Sequence, residues 1–167
     1  MPAEYSQCGT GSRFPVSRRA MRISASESIA WTGSVANQIN VHRSIPITQF
    51  MELYRVPGIQ LYGLQIGAEA KQLYETGCAP LISDLSPYIR DVVDTVSFLT
   101  KLDLVICCES ALTHICAAVG KDTWVPYSYL GRDYRLGCDG SDILWGPKVM
   151  TFNQAKGETW QPVFDRI

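Results

Sequence analysis

Short apolar runs alternate with helix-like segments from Ile29 to Tyr127, and the early runs stop at or near a glycine. This rhythm constrains the chain more than any single motif does. "SIAWT" (28–32) reads as a strand ending at Gly33. "ITQFMELYRV" (47–56) reads as a helix, with Phe50, Leu53 and Tyr54 on one face and Pro57-Gly58 as its stop. "IQLYGLQ" (59–65) is a second strand, running out near Gly67, and "AEAKQLYETG" (68–77) is a helix with Gly77 at its C-cap position. "PLISDL" (80–85) is a third, short strand, and "DVVDTVSFLTKL" (91–102) a helix whose apolar face is Val92, Val93, Val96 and Leu99. "DLVICC" (103–108) is a fourth strand, apolar from Leu104 on, as expected where both faces of a sheet are covered. "SALTHICAAVG" (110–120) is the next helix and "TWVPY" (123–127) the next strand. The tail reads as a last strand, a glycine turn, and a short helix or 3₁₀ turn capped by Thr159. Strands alternating with helices through short connections predict an α/β, Rossmann-like fold: a parallel sheet with helices on both faces.

Composition fits one compact domain. The chain has 167 residues, 46% hydrophobic and 19% charged, so it can form a core and is not a disordered polymer. Fifteen basic and sixteen acidic residues give a net charge of −1, which argues against a nucleic-acid or anionic-membrane surface. The longest apolar candidate, Leu102 to Val119, is interrupted by Asp103, Glu109, Ser110 and His114 and falls short of the ~20 residues of a membrane span. Residues 1–28 lack apolar periodicity. They are rich in arginine and serine and poor in acid, which allows a transit-peptide reading, but Pro2, Gly9, Gly11 and Pro15 spoil a helix. An irregular arm over 1–28 and one domain over 29–167 are expected. Six cysteines occur without any CxxC. Cys107 and Cys108 are neighbours in a strand and point to opposite faces, Cys116 sits on a helix, and Cys8, Cys78 and Cys138 fall in loop-like sequence. Reduced, buried thiols in a cytoplasmic protein are the expectation.

In such sheets ligands bind outside the carboxyl ends of the strands. The informative positions are therefore Thr32-Gly33-Ser34, Gln65-Ile66-Gly67, Glu109-Ser110-Ala111 and the loop after Tyr127. Ser110 is a candidate N-cap. The first-turn amides after it have no intrahelical partner, and with the helix dipole they favour an anion. Small side chains at Ser110 and Ala111 leave room for a phosphate, Thr113 offers a hydroxyl and His114 a donor. The plainer reading is a strand–helix turn with Ser110 as cap and His114 packed against the sheet. A metal or thiol site from Cys107, Cys108, His114 and Cys116 is disfavoured, because Cys116 lies two residues from His114 and so on another helix face. His42 has no partner at motif spacing and reads as a loop residue.

The order "ICCESALTHICAAVG" then "TWV" resembles the donor-binding motif of glycosyltransferase family 9, the heptosyltransferase family. It is still more similar to the glycosyltransferase-like domains that follow tetratricopeptide repeats in bacterial proteins. "IAWTGS", "HRSIPITQF", "LYGLQIGAE", "IRDVVDTVSFLTKLDLVI", "GRDYR" and "LWGP" resemble further family segments in the same order, over about residues 28 to 167. The resemblance implies the second, donor-binding half of a GT-B fold and an inverting, metal-independent transferase that uses a nucleoside-diphosphate sugar and no cofactor. It implies that Ser110, Ala111 and Thr113 serve the diphosphate with His114 beside it, and that Thr32 and Gly33 line the cleft. Arg43 would neutralise the departing diphosphate, and Gln65 would sit near the nucleoside. Asp133 and Arg135 are further candidates near sugar or base. Glu109 stands where the family usually has aspartate. The family's acceptor domain and its catalytic base precede this half, so the chain reads as a donor half completed by another domain or a homo-oligomer partner. The alternative is a non-catalytic nucleotide- or phosphate-binding or interaction module of the same fold.

Overall fold

The computed structural model describes residues 25–34, 36–130, 133–136 and 146–167. Among these residues, six parallel strands form one sheet in the order β3-β2-β1-β4-β5-β6. They are β1 (Ala25–Ala30), β2 (Ile59–Gly63), β3 (Ile82–Asp84), β4 (Leu104–Cys107), β5 (Thr123–Tyr127) and β6 (Val149–Asn153). The α-helices are α1 (Asn40–Arg43), α2 (Gln72–Glu75), α3 (Val92–Leu99), α4 (Ala111–Ala118) and α5 (Gln161–Phe164), with a long 3₁₀ segment over Ile47–Arg55.

β4 shows why the sheet is covered twice. Alternate side chains of a strand face opposite ways. Val105 and Cys107 enter a core with Ala30, Leu64, Leu99, Leu102 and Cys116, beneath α3 and α4. Ile106 and Cys108 enter the opposite core with Ile29, Trp31, Phe50, Leu61 and Phe164. Phe50 and Phe164 meet edge-on at 5.1 Å, joining the 3₁₀ segment to α5. Cys107 and Cys108 thus serve two cores, and with Cys78 and Cys116 they are free and buried. Cys8 and Cys138 lie outside the described residues. No helix among the described residues is long and apolar enough to cross a membrane.

Several element details differ from the sequence reading. β1 begins at Ala25, four residues into the expected arm, because Ser26 and Glu27 are held in parallel register between Gln60-Leu61 of β2 and Leu104 of β4. The segment read as a helix over 47–56 is 3₁₀. The one read over 68–77 is 3₁₀ over Ala68–Lys71 and α-helical only over Gln72–Glu75. In α3, Val92 and Val93 are 57% and 71% exposed, while Thr95 joins the expected Leu99 in facing the sheet. The cap explains the rotation. Asp91 accepts from the amides of Val93 and Asp94, which sets the first turn at the carboxyl rim and turns its valines outward. Trp160, not Thr159, precedes α5.

Candidate functional site

The strand order reverses between β1 and β4. β2 and β3 lie to one side of that pair, β5 and β6 to the other. The connections leaving β1 and β4 therefore part at the carboxyl edge and open the crevice in which ligands of such sheets sit.

A chain of hydrogen bonds builds the β1 side. Gln65, after β2, is buried, and its Oε1 accepts from the amides of Trp31 (3.1 Å) and Thr32 (3.0 Å). Gln65 is thus a clamp on the end of β1, which leaves its carbonyl oxygen committed away from a nucleoside. Asn40 Oδ1 accepts from the Gly33 amide at 2.9 Å, and its Nδ2 donates to Thr32 Oγ1 at 2.9 Å. The Thr32 hydroxyl also meets Ser44 Oγ at 2.7 Å, and Ser44 Oγ donates to the Asn40 carbonyl at 2.7 Å. Gly33 is required by proximity. A Cβ there would stand 2.9 Å from Asn40 Oδ1 and 3.1 Å from Arg43 Nη2.

The β1 and β4 sides meet through charge. Arg43, last residue of α1, donates from Nη1 to Glu109 Oε1 at 3.0 Å, with the two side chains 12% and 8% exposed. Arg43 Nε is buried without a hydrogen-bond partner among the described residues. Burial pushes the Glu109 carboxyl above the usual range, while the Arg43 guanidinium pulls it back down. The residues after β5 close the third side. Asp133 is held by Arg135 through Nε (2.8 Å to Oδ1) and Nη2, and that pairing keeps its carboxyl below the usual range. His114 Nε2 lies 3.7 Å from Asp133 Oδ2, and burial pushes the imidazole below its usual range. Glu109, His114 and Asp133 offer donor atoms within 4.8 Å of one another. Each carboxylate already carries a guanidinium, so this is a charge-balanced ion network rather than an open cation site.

α4 begins directly after Glu109 and Ser110. Ser110 takes the extended N-cap conformation but makes no side-chain capping bond, so the cap is made by backbone shape alone. The amides of Ala111 and Leu112 have no intrahelical acceptor. Thr113 contributes neither of its donors. Its hydroxyl donates to the Cys108 carbonyl at 3.3 Å beside Cys107 Sγ, and its amide donates to the Ser110 carbonyl at 3.1 Å. The β-branched hydroxyl is turned back onto β4 in the core.

Of the nine expected site residues, Arg43, Glu109, Ser110, Ala111 and His114 come together around the switch point. Thr32 and Gly33 line its β1 wall, and Gln65 and Thr113 brace the walls from behind. Sequence reasoning missed Asn40 and Ser44 as the bonds that aim α1. Ser44 lay within the "HRSIP" segment, but nothing local marked Asn40. Asp133 and Arg135 prove integral to the ion network, whereas Gly131, Arg132 and the "LW" of "LWGP" fall outside the described residues. A separate apolar cleft lined by Ser26, Tyr62, Leu85, Phe98, Lys101 and Leu102 shares no residue with this site and holds no cluster of opposed charges. No protein-family model, curated protein or solved structure matches the chain.

Proposed function

We propose that this chain is a nucleoside-diphosphate-sugar-binding domain, the donor half of an inverting, metal-independent GT-B glycosyltransferase of the family 9 type. The observation that carries the reading is the convergence, across the β1/β4 switch point, of Arg43 with the N-terminal turn of α4. A diphosphate seated there would accept from the Ala111 and Leu112 amides and face the Arg43 guanidinium. Guanidinium and helix dipole would then stabilise the charge that grows on the diphosphate as the sugar leaves.

Transfer also needs a base on the acceptor hydroxyl and a cleft closed to water. Glu109 and Asp133 are each tied to an arginine, so a partner domain or second chain would supply the base. Ile39, Val41, Ile66, Tyr88, Tyr129 and Leu130 are exposed on connections that leave the carboxyl ends of β1, β2, β3 and β5, which supports a partner covering this rim. The same tied carboxylates favour a second reading, in which the chain alone binds the nucleotide without turning it over.

Calorimetric titration with UDP-, ADP- and GDP-sugars tests the reading. Saturable binding to one of them, lost in Ser110→Trp, is expected. No binding at millimolar ligand would refute it. Release of sugar by the isolated chain would exclude the non-catalytic reading.

A further inference from the structure

The guanidinium that this site would offer a diphosphate is already bound to a carboxylate. Arg43 Nη1 holds Glu109 Oε1 at 3.0 Å, and the Glu109 side chain is 8% exposed. The next carboxylate, Asp133, is held by Arg135. An arriving diphosphate therefore adds two negative charges to a network whose cations are neutralised. Arg43 Nε is buried and unbonded among the described residues, so the guanidinium is not fully satisfied by Glu109. Full engagement of the guanidinium by phosphate oxygens takes Arg43 from Glu109. That leaves an uncompensated carboxylate in a buried position, and such a group takes up a proton rather than remain charged.

We propose that the site binds a dianionic, disubstituted diphosphate together with about one proton, taken from solvent by Glu109 as the ligand replaces it on Arg43. This rests on the nucleoside-diphosphate reading of the site. Among the described residues, the groups that face Glu109 are Arg43 from α1, Asp133 and Arg135 from the segment after β5, the Cys108 thiol just after β4, and His114 on α4. The arginines stay charged. Arg135 keeps Asp133 ionised. Cys108 is pushed by burial up to about 12 and stays a thiol. His114, pushed down by burial, is the one competitor for the proton. Glu109 already lies above the usual carboxylate range and loses its stabilising cation on binding. Its bound-state pKa is therefore higher than its free-state pKa. Between those two values affinity falls as pH rises, by up to about tenfold per pH unit for one proton.

The experiment is calorimetry on the full chain with UDP-glucose, ADP-glucose and GDP-mannose, whose diphosphates are substituted at both ends and do not titrate near neutrality. Titrations near pH 7 in PIPES and in imidazole, which differ in ionisation enthalpy, count the protons. Uptake of about one proton is expected, absent in Glu109→Gln, which should also bind at least as tightly as the native chain at pH 8. Binding by the native chain without uptake would overturn this proposal alone. Uptake that survives Glu109→Gln and vanishes in His114→Gln would assign the proton to the imidazole and also overturn it. If none of the three ligands binds, the diphosphate reading itself fails, and the proton linkage with it.

Discussion

Replacing Arg43 by alanine should destabilise the chain by an amount that grows with pH. The native pair lies at 3.0 Å with 12% and 8% of its side chains exposed. Two unit charges at that distance attract by about 5 kcal/mol at an effective dielectric constant of about 20. In Arg43→Ala the full value is not lost, because Glu109 escapes by protonation. For a glutamate whose unfolded pKa is about 4.3, protonation costs about 1 kcal/mol at pH 5 and about 3.7 kcal/mol at pH 7. These figures cap the electrostatic loss at each pH. In the variant the folded pKa of Glu109 lies above its unfolded value. Its contribution is therefore fully present below the unfolded pKa and is lost as pH rises through the folded one. Urea denaturation of native and variant chains at both pH values should show a larger penalty at pH 7, by less than about 2.7 kcal/mol because the native carboxyl already lies above its usual range. In melting this is less than roughly 10 °C for a domain of this size. Adding Glu109→Gln should remove the pH-dependent part and leave only the lost packing of the arginine stem. An equal penalty at pH 5 and pH 7, or no recovery in the double variant, would refute the idea that Arg43 holds a buried carboxylate ionised.

Gly33→Ala should cost about 1–2 kcal/mol in urea denaturation and weaken diphosphate binding in the same preparation, since its Cβ would push on Asn40 Oδ1 at 2.9 Å and Arg43 Nη2 at 3.1 Å. Glu27, in β1, is raised to about 7, first by burial and then by Asp103. Its contribution to stability is present at acid pH and lost as pH rises through about 7, so Glu27→Gln should be more stable than the native chain at pH 8 by roughly 1–3 kcal/mol, after allowance for its partial solvent access. Equal stabilities there would contradict it. Burial pushes Cys108 and Cys116 up to about 12 and about 11 and Cys107 well up, so thiol labelling followed by peptide mapping should find all three unmodified until the chain unfolds.

The strands dominated by apolar residues could be read directly: β4 and β5 differ from the expected spans by two residues at most. β1 could not be bounded this way. Its Ser26 and Glu27 look like loop residues and become strand only because β2 and β4 flank them. α3 shows the same limit in a helix, where four apolar residues suggested a face and the Asp91 cap decided which of them turned inward. At the site, position was legible and orientation was not. Gln65 and Thr113 stand where expected, but one clamps β1 and the other bonds back to β4. Asn40 was invisible because its value lies in reaching Thr32 and Gly33, eight and seven residues back, through a turn that only the folded chain forms.

The most direct test of the central claim is the position of a bound sugar nucleotide along the chain. Titration of the ¹⁵N-labelled protein with UDP-, ADP- and GDP-sugars should move the amides of Gly33, Ala111 and Leu112 and the Arg43 side-chain signal together, along one saturating curve. Saturable shifts confined to other surfaces, such as the cleft lined by Tyr62, Phe98 and Leu102, would contradict it, as would no shift at millimolar ligand.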